Sequence, residues 1–198
     1  MSIDFEKLKK EAILKKTKEF ISQYGLNDFS MEKLAKFCGL AKGTFYNYFK
    51  GKDELITSVI EHSVNEIWEK LSIKLKECKS GEDKLFTLVK LSLEFFNENR
   101  DILILYAREI KMLDCVVPDG ETMHGKFLIS HIERVNSLIS GILSEMGIRK
   151  NKTKLSFIIH ETLVNFNKYY LFYSKEMEIE KDSRFLFNFI LKGLEGNK

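Results

Sequence analysis

The chain has 198 residues, of which 44% are hydrophobic and 31% are charged, and its formal net charge is +3. No apolar run approaches the ~18 residues of a membrane-spanning helix, and the amino end is charged instead of carrying an apolar signal core. We therefore expect a cytoplasmic protein with no membrane segment. Cys38, Cys78 and Cys115 are widely separated and include no C-x-x-C pair, which indicates neither a disulfide framework nor a zinc site.

The hydrophobic pattern predicts an all-α fold of about nine helices. Residues 1–10 have little apolar pattern, and we interpret them as a flexible arm. From Ile13 onward, apolar residues recur at helical spacing as far as Tyr24, and Gly25 supplies a stop. Pro118 is the single proline of the chain, and it falls in a predicted loop over residues 114–120.

Two short predicted helices meet near Gly39 in the manner of a helix-turn-helix. Ser30 is placed to cap the first of them, and Gly39 has the conformational freedom that the corner requires. The second begins near Ala41 or Lys42, and Phe45 and Phe49, four residues apart, give it an apolar anchor.

A larger helical body follows. A long helix opens at Lys52, and Ser80-Gly81 is interpreted as its end. Helices are predicted over 85–96 and 101–113, joined by a polar turn at 97–100, and another runs to Gly147. The last two predicted helices, about 152–174 and 182–195, are apolar around most of their surface. Because a helix packed on one side needs only one apolar stripe, they predict a homodimer through a four-helix interface, although burial inside a monomer would produce the same pattern.

Positive charge is concentrated at the amino end. Residues 1–53 hold 11 lysines against 7 acidic residues, a balance of +4, whereas residues 54–198 hold 21 basic and 22 acidic residues, a balance of −1. This asymmetry is typical of a DNA-contacting surface, although a solvated lysine-rich helix face gives the same count.

Residues 13–55 resemble the amino-terminal domain of the tetracycline-repressor (TetR/AcrR) family of transcriptional regulators. The matching segments are Ile13-Leu14 to Phe20, Phe29-Ser30, Leu34-Ala35-Lys36 with Gly39-Leu40, Lys42-Gly43-Thr44-Phe45-Tyr46-Asn47-Tyr48-Phe49, and Lys52-Asp53-Glu54-Leu55. The resemblance implies a DNA-binding domain over residues 1–52 and an effector-binding and dimerisation domain over 53–198. It also implies a regulator, most simply a repressor, that binds a roughly palindromic operator.

The candidate DNA-binding residues are Ser30, Lys42, Gly43, Thr44, Tyr46, Asn47, Tyr48 and Lys52. Lys42, Thr44 and Asn47 suit base edges, and the remaining polar side chains suit phosphates. One of Tyr46 and Tyr48 is expected to point inward, and the family pattern favours Tyr46 as the DNA contact. Ala41 replaces the hydroxyl residue usual in the family, so the recognition helix lacks a side-chain cap.

The resemblance also implies a small-molecule effector bound between helices of the second domain, which the aromatic content predicts to be lipophilic. The candidate lining residues are Trp68, Tyr106, Glu109, His131, Phe166, Tyr169 and Tyr170, each of which also fits an ordinary core. Histidine spacing indicates no metal site, and no motif indicates a cofactor.

Two other classes of function compete with a regulator. One is an interaction or membrane-surface module that uses the basic helices and the aromatic stripes. The other is a helical-bundle enzyme, for which the chain shows no nucleophile elbow, no Glu-x-x-His pair and no glycine-rich phosphate loop, so we predict that it is not an enzyme.

Overall fold

A computed structural model describes residues 5–109, 120–173 and 176–197. These residues contain no strand and form two short 3₁₀ turns and nine α-helices: α1 (Phe5–Tyr24), α2 (Met31–Phe37), α3 (Lys42–Tyr48), α4 (Lys52–Glu77), α5 (Gly81–Glu98), α6 (Arg100–Glu109), α7 (Met123–Glu145), α8 (Lys152–Phe172) and α9 (Ile179–Leu194). The predicted all-α fold is confirmed.

Helix α1 begins earlier than the sequence pattern predicts. Residues 5–10 continue the helix, so the prediction of a flexible arm over 1–10 is wrong for them, while residues 1–4 lie outside the described part. Lysine, glutamate and leucine are good helix formers even without an apolar face, and the Lys9 ammonium lies 3.5 Å from the Glu6 carboxylate one turn away. Residues 5–10 are therefore helical although they lack apolar periodicity.

Ser80-Gly81 begins a helix instead of ending one. Helix α4 ends at Glu77, and the Asp83 backbone N–H donates to Ser80 Oγ at 3.0 Å as an N-terminal cap of α5. Gly81 is required by packing against α7. A Cβ atom there would lie 2.6 Å from Met146 Cγ and 3.2 Å from the carbonyl oxygen of Ile142. The sequence correctly predicts a helix boundary at Ser80-Gly81, but these residues begin α5 instead of ending α4.

The predicted polar turn at 97–100 is shorter in the structure. Helix α5 continues to Glu98 and α6 begins at Arg100, so that Asn99 alone separates them, and Asn99 is buried. Helix α6 is described as far as Glu109, and the rest of the predicted helix to 113, Cys115 and the predicted loop around Pro118 lie outside the described residues.

The chain forms two compact units. The first comprises residues 1–66 and 99–126, and the second comprises residues 67–98 and 127–198. In the second unit, Leu85, Leu93, Ile139, Leu143 and Leu186 are almost fully buried in one apolar core. These units divide the chain by packing, and the functional domains 1–52 and 53–198 stay a prediction.

Gly81→Ala is expected to lower the free energy of unfolding by about 1–2 kcal/mol, because the added methyl group would overlap Met146 and the α7 backbone. Gly141→Ala is the matched control within α7. No atom lies within 4 Å of a Cβ built at Gly141, so alanine should stabilise the helix by up to about 1 kcal/mol. Urea denaturation measures both, and equal effects of the two substitutions would contradict the packing argument.

Candidate nucleic-acid interface

Helices α2 and α3 meet at a tight corner built by the local sequence. Ser30 caps α2 by accepting a hydrogen bond from the Lys33 backbone N–H at 3.2 Å. At the other end, Gly39 has φ +71°, a left-handed conformation that side chains with a Cβ rarely adopt, and the Leu40 N–H donates to the Ala35 carbonyl at 2.9 Å. The predicted corner is therefore present with its cap and its glycine turn.

Helix α3 is held on the first unit by two phenylalanines. Phe45 and Phe49 have no solvent-exposed surface, and their ring centroids are 6.0 Å apart. Ala41 occupies the N-terminal cap position and makes no side-chain hydrogen bond there. The helix is thus positioned by its apolar face instead of by a cap, because burying two aromatic rings outweighs the loss of one capping bond.

The rest of the α3 surface is largely exposed. Lys42, Thr44, Tyr46 and Asn47 are all solvent-exposed, and Tyr46 is 38% exposed although its ring is large. No atom lies within 4 Å of a Cβ built at Gly43. Four polar side chains and one bare backbone position along the two turns of α3 are therefore open to solvent, as a groove-reading helix requires.

Three of the predicted DNA-binding residues already have partners in the protein. The Lys42 ammonium lies 3.5 Å from the Glu32 carboxylate, and the Lys52 ammonium lies 5.1 Å from the centre of the Phe29 ring. Tyr48 is half-buried, and burial followed by its hydrogen bond to the Glu6 carboxylate raises the pKa of its hydroxyl group. Tyr46 is therefore the more exposed tyrosine.

Glu32 and Glu6 are the residues that the sequence did not single out at this surface. Glu32 lies ten positions before Lys42, and Glu6 lies within residues 1–10, for which the sequence predicts a flexible arm. Both carboxylates pair with side chains that we predict to contact DNA. A DNA contact by Lys42 or Tyr48 would therefore replace its contact with a carboxylate.

The predicted effector residues divide between the two units. Tyr106 lies in the first unit, is buried, and hydrogen-bonds the His124 ring. Glu109 is the last residue of α6, and its side chain lies outside the described part of the chain. The other five candidates belong to the second unit. Whether these residues bind an effector stays a prediction.

Trp68 and His131 come together in the second unit. Their ring centroids are 6.3 Å apart, and the His131 ring also lies 6.3 Å from His160 and 6.0 Å from Phe127. Burial first, and then the nearby His160 and Arg134, lowers the pKa of His131 to about 4. His131 is therefore a neutral imidazole at neutral pH, and its Nδ1 atom has no hydrogen-bond partner among the described residues.

Acidification from pH 7 to pH 5 is expected to lower the free energy of unfolding by about 2 kcal/mol through His131. The pKa falls from 6.5 in the unfolded chain to about 4 in the folded protein, so the unfolded state binds more protons in this interval. Urea denaturation at both pH values measures the effect. His131→Phe keeps the ring contacts and should remove this share of the pH dependence; an unchanged dependence would contradict the assignment.

The remaining aromatic candidates lie on α8. The ring of Phe166 stacks against Phe185 of α9 at 6.1 Å, and Tyr170 lies 5.5 Å from Phe166. Burial and a hydrogen bond to the Asp182 carboxylate raise the pKa of Tyr170 to about 12. Tyr169 is 52% exposed and stacks on Tyr173. Phe166 and Tyr170 are therefore half-buried, whereas Tyr169 is exposed.

Helices α8 and α9 expose an unusual amount of apolar surface. Together with Tyr173, the residue directly after α8, they carry six of the eleven large apolar side chains that are exposed among the described residues: Phe157, Ile158, Tyr169, Tyr173, Phe185 and Phe189. On α9 the buried residues Leu186, Ile190 and Leu194 form the opposite face. We call these six side chains the α8–α9 aromatic face.

Two kinds of site have no support within residues 5–109, 120–173 and 176–197. No three histidine, cysteine or acidic side chains there come together as ligands for a metal ion. None of the helices described combines the length and the apolar character that a bilayer crossing requires.

Comparison with known proteins places the helix-turn-helix in a family. Residues 13–59 match the family described as bacterial regulatory proteins, tetR family. The uncharacterized HTH-type transcriptional regulator YvdT of Bacillus subtilis is 24% identical over 191 residues, which cover 94% of this chain and 95% of YvdT. The fatty acid metabolism regulator protein of the same organism is 24% identical over 138 residues, covering 69% of this chain and 66% of that protein.

A solved structure supports the fold over almost the whole chain. The transcriptional regulator FadR from Bacillus subtilis in complex with stearoyl-CoA superimposes with a TM-score of 0.69 at 16% identity, covering 91% of this chain and 97% of that chain. The sequence matches indicate a helix-turn-helix transcriptional regulator. Residues 13–59 match the tetR family of bacterial regulatory proteins, and the relatives that match the chain are described as transcriptional regulators, not as enzymes.

Proposed function

We propose that this protein is a repressor that binds a roughly palindromic operator as a homodimer and is released by a small lipophilic effector. In this proposal residues 1–52 bind DNA, residues 53–198 bind the effector and form the dimer, and the protein acts in the cytoplasm, where chromosomal DNA lies. The observation that carries the proposal is the polar exposed face of α3, held in place by the fully buried Phe45 and Phe49.

The DNA-binding residues divide by what each side chain offers. Lys42, Thr44 and Asn47 are exposed on α3, and we assign them to base edges; we assign Tyr46, which is also exposed, to a phosphate. Ser30 lies at the amino end of α2, where backbone N–H groups favour an anion. Lys52 and Tyr48 complete the phosphate contacts once their protein partners are exchanged.

The α8–α9 aromatic face supports the proposal of a homodimer. Exposed apolar patches of this kind on two neighbouring helices favour a self-complementary contact with a second copy. Two recognition helices related by such a two-fold axis would meet half-sites about 34–36 Å apart, which is one turn of B-DNA. A two-fold symmetric dimer therefore requires an operator whose two half-sites are inverted copies, that is, a roughly palindromic one.

Support for a lipophilic effector comes from the aromatic content of the second unit and from a relative. The Bacillus subtilis FadR structure contains stearoyl-CoA, which pairs a long apolar chain with an anionic head. In the present chain Trp68, His131, Phe166 and Tyr170 are half-buried aromatic groups of the second unit.

Fluorescence anisotropy with duplex DNA from upstream of the protein's own coding region tests the proposal. We expect binding at least about 1,000-fold tighter than to a scrambled duplex, with affinity falling steeply as salt rises from 50 to 200 mM. Equal affinity for the two duplexes, or binding independent of salt, would reject a sequence-specific regulator. Binding to anionic vesicles without duplex binding would support the membrane-surface module instead.

A further inference from the structure

A groove of about 480 Å³ runs along the second unit between α4, α5 and α7. All of its lining residues belong to that unit, so it is defined by one packed body. Of the predicted effector residues whose side chains are described, only Trp68 lines it. The lining also includes Leu75, Lys84, Arg134, Leu138 and Glu145.

One wall of the groove is apolar. Leu75, Leu138 and Ile142 line it, and Gly141 leaves open space where any other residue would place a side chain. Arg134 and Glu145 lie eleven residues apart on α7, which at 1.5 Å per residue makes the groove roughly 16 Å long. The dimensions suit an extended aliphatic chain.

The charges in the groove do not cancel. Lys84 Nζ lies 2.6 Å from the Glu145 carboxylate, so these two groups neutralise each other at one end. At the other end the Arg134 guanidinium lies 4.0 Å from the centre of the Trp68 ring. No carboxylate lies within 4.0 Å of Arg134 in the described part of the chain. The groove therefore pairs an apolar wall with one uncompensated cation.

We propose that this groove binds a small amphiphile with a single anionic head, the carboxylate on Arg134 and the aliphatic chain along Leu75, Leu138 and Ile142. A planar guanidinium pairs with a carboxylate through two parallel hydrogen bonds, and displacing Arg134 from Trp68 frees the indole face for the chain. A cationic head would meet Arg134 with like charge, and a neutral one would leave it unpaired. The assignment deepens the proposed function and rests on it for the role of this ligand as effector.

Trp68 makes the binding test direct, because it is the only tryptophan in the chain. Decanoate, decanol and decylammonium chloride, at concentrations below those at which they aggregate, share one chain length and differ in head-group charge. Decanoate is expected to change Trp68 fluorescence saturably, with an affinity about tenfold or more above that of decanol, and decylammonium should bind more weakly still. Equal affinities for decanoate and decanol would overturn the proposal.

Two variants locate the ligand. Arg134→Leu should reduce decanoate affinity about tenfold or more while leaving decanol binding within about twofold, and Arg149→Leu removes an exposed arginine outside the groove as the charge control. Gly141→Leu should fill the groove and abolish both responses, whereas Gly141→Ala should preserve them. Calorimetric titration measures the same affinities without relying on Trp68 fluorescence. Wild-type affinity in Arg134→Leu would overturn the assignment of the head group.

The DNA measurement separates this inference from the proposed function. Decanoate titrations need no DNA. A protein that binds decanoate but no operator would therefore contradict the proposed repressor function while supporting decanoate binding in the groove. If the protein binds operator and decanoate together without loss of DNA affinity, the effector role is wrong. Decanoate that releases operator from the wild type but not from Arg134→Leu supports both.

Discussion

The double variant Lys42→Ala/Tyr46→Ala is expected to lose operator binding by at least about 100-fold while keeping its fold and its oligomeric mass. A base-edge contact and a phosphate contact each contribute about 1–3 kcal/mol to a specific complex, and the two act from the same exposed face of α3. Neither side chain belongs to the buried anchor formed by Phe45 and Phe49, so unfolding should not obscure the result. Fluorescence anisotropy with the upstream duplex measures the loss.

Two single variants make this prediction sharper. Lys15→Ala removes an exposed lysine from α1 and serves as the charge control, so its effect should stay within a few-fold. Glu32→Ala frees Lys42 from its ion pair at 3.5 Å and is expected to strengthen binding modestly, because the ammonium no longer has to leave a carboxylate. A double variant that binds like wild type, or a Lys15→Ala variant that loses as much, would place the DNA surface elsewhere.

The sequence predicted the helix-turn-helix well because its signals are local. A cap such as Ser30, a positive-φ glycine such as Gly39 and an apolar pair four residues apart each act within one or two turns. The same holds for the helix ends at Gly25 and Gly147, which both have positive φ in the structure. Local rules of this kind can be applied without knowing the fold.

Contacts between residues that are far apart in the chain could not be predicted from the sequence. Gly81 was interpreted as a helix stop because nothing in its neighbourhood reveals that α7 passes within van der Waals distance. Arg134 and Trp68 are 66 positions apart, so no spacing rule pairs them, and the groove between them went unrecognised. Tyr48 and Glu6 are similarly distant in the chain. Such pairs depend on how helices cross, which periodicity does not encode.

Residues chosen for their chemistry alone were the least predictable. Aromatic and histidine side chains suited an effector pocket in general, but Tyr106 and Tyr169 lie in different units. Tyr169 is also largely exposed. An apolar residue on a helix is buried by its own helix bundle, by a second subunit or by a ligand, and its sequence pattern is the same in all three cases.

The variant Phe185→Glu/Phe189→Glu is expected to convert the proposed dimer into a monomer. Both rings are 62% exposed, four residues apart on α9, and point away from the face formed by Leu186, Ile190 and Leu194. In a two-fold interface each substitution occurs twice, so four carboxylates would be brought into an apolar contact without partners. Analytical ultracentrifugation should show the mass falling to that of one chain, 23.2 kDa.

Ile73→Glu is the matched control, because Ile73 is 59% exposed on α4 but lies outside the α8–α9 aromatic face. Its mass should remain that of the dimer. Thermal denaturation of the two variants separates dimer loss from unfolding, since the buried face of α9 is unchanged in both. A Phe185→Glu/Phe189→Glu protein that stays dimeric would show that the dimer forms through another surface.

Loss of the dimer should also be visible in DNA binding, and it should differ in kind from the loss caused by changes in α3. A monomer binds only one half-site. In a dimer, binding of the first DNA-binding domain raises the effective concentration of the second at its half-site, and a monomer lacks this effect. Operator affinity is therefore expected to fall by at least about 100-fold. Lys42→Ala/Tyr46→Ala should lose affinity for a single half-site as well, whereas the monomeric variant should bind an isolated half-site as the wild type does. If both variants lose half-site binding equally, α9 affects the helix-turn-helix itself and the separation of roles proposed for residues 1–52 and 53–198 is wrong.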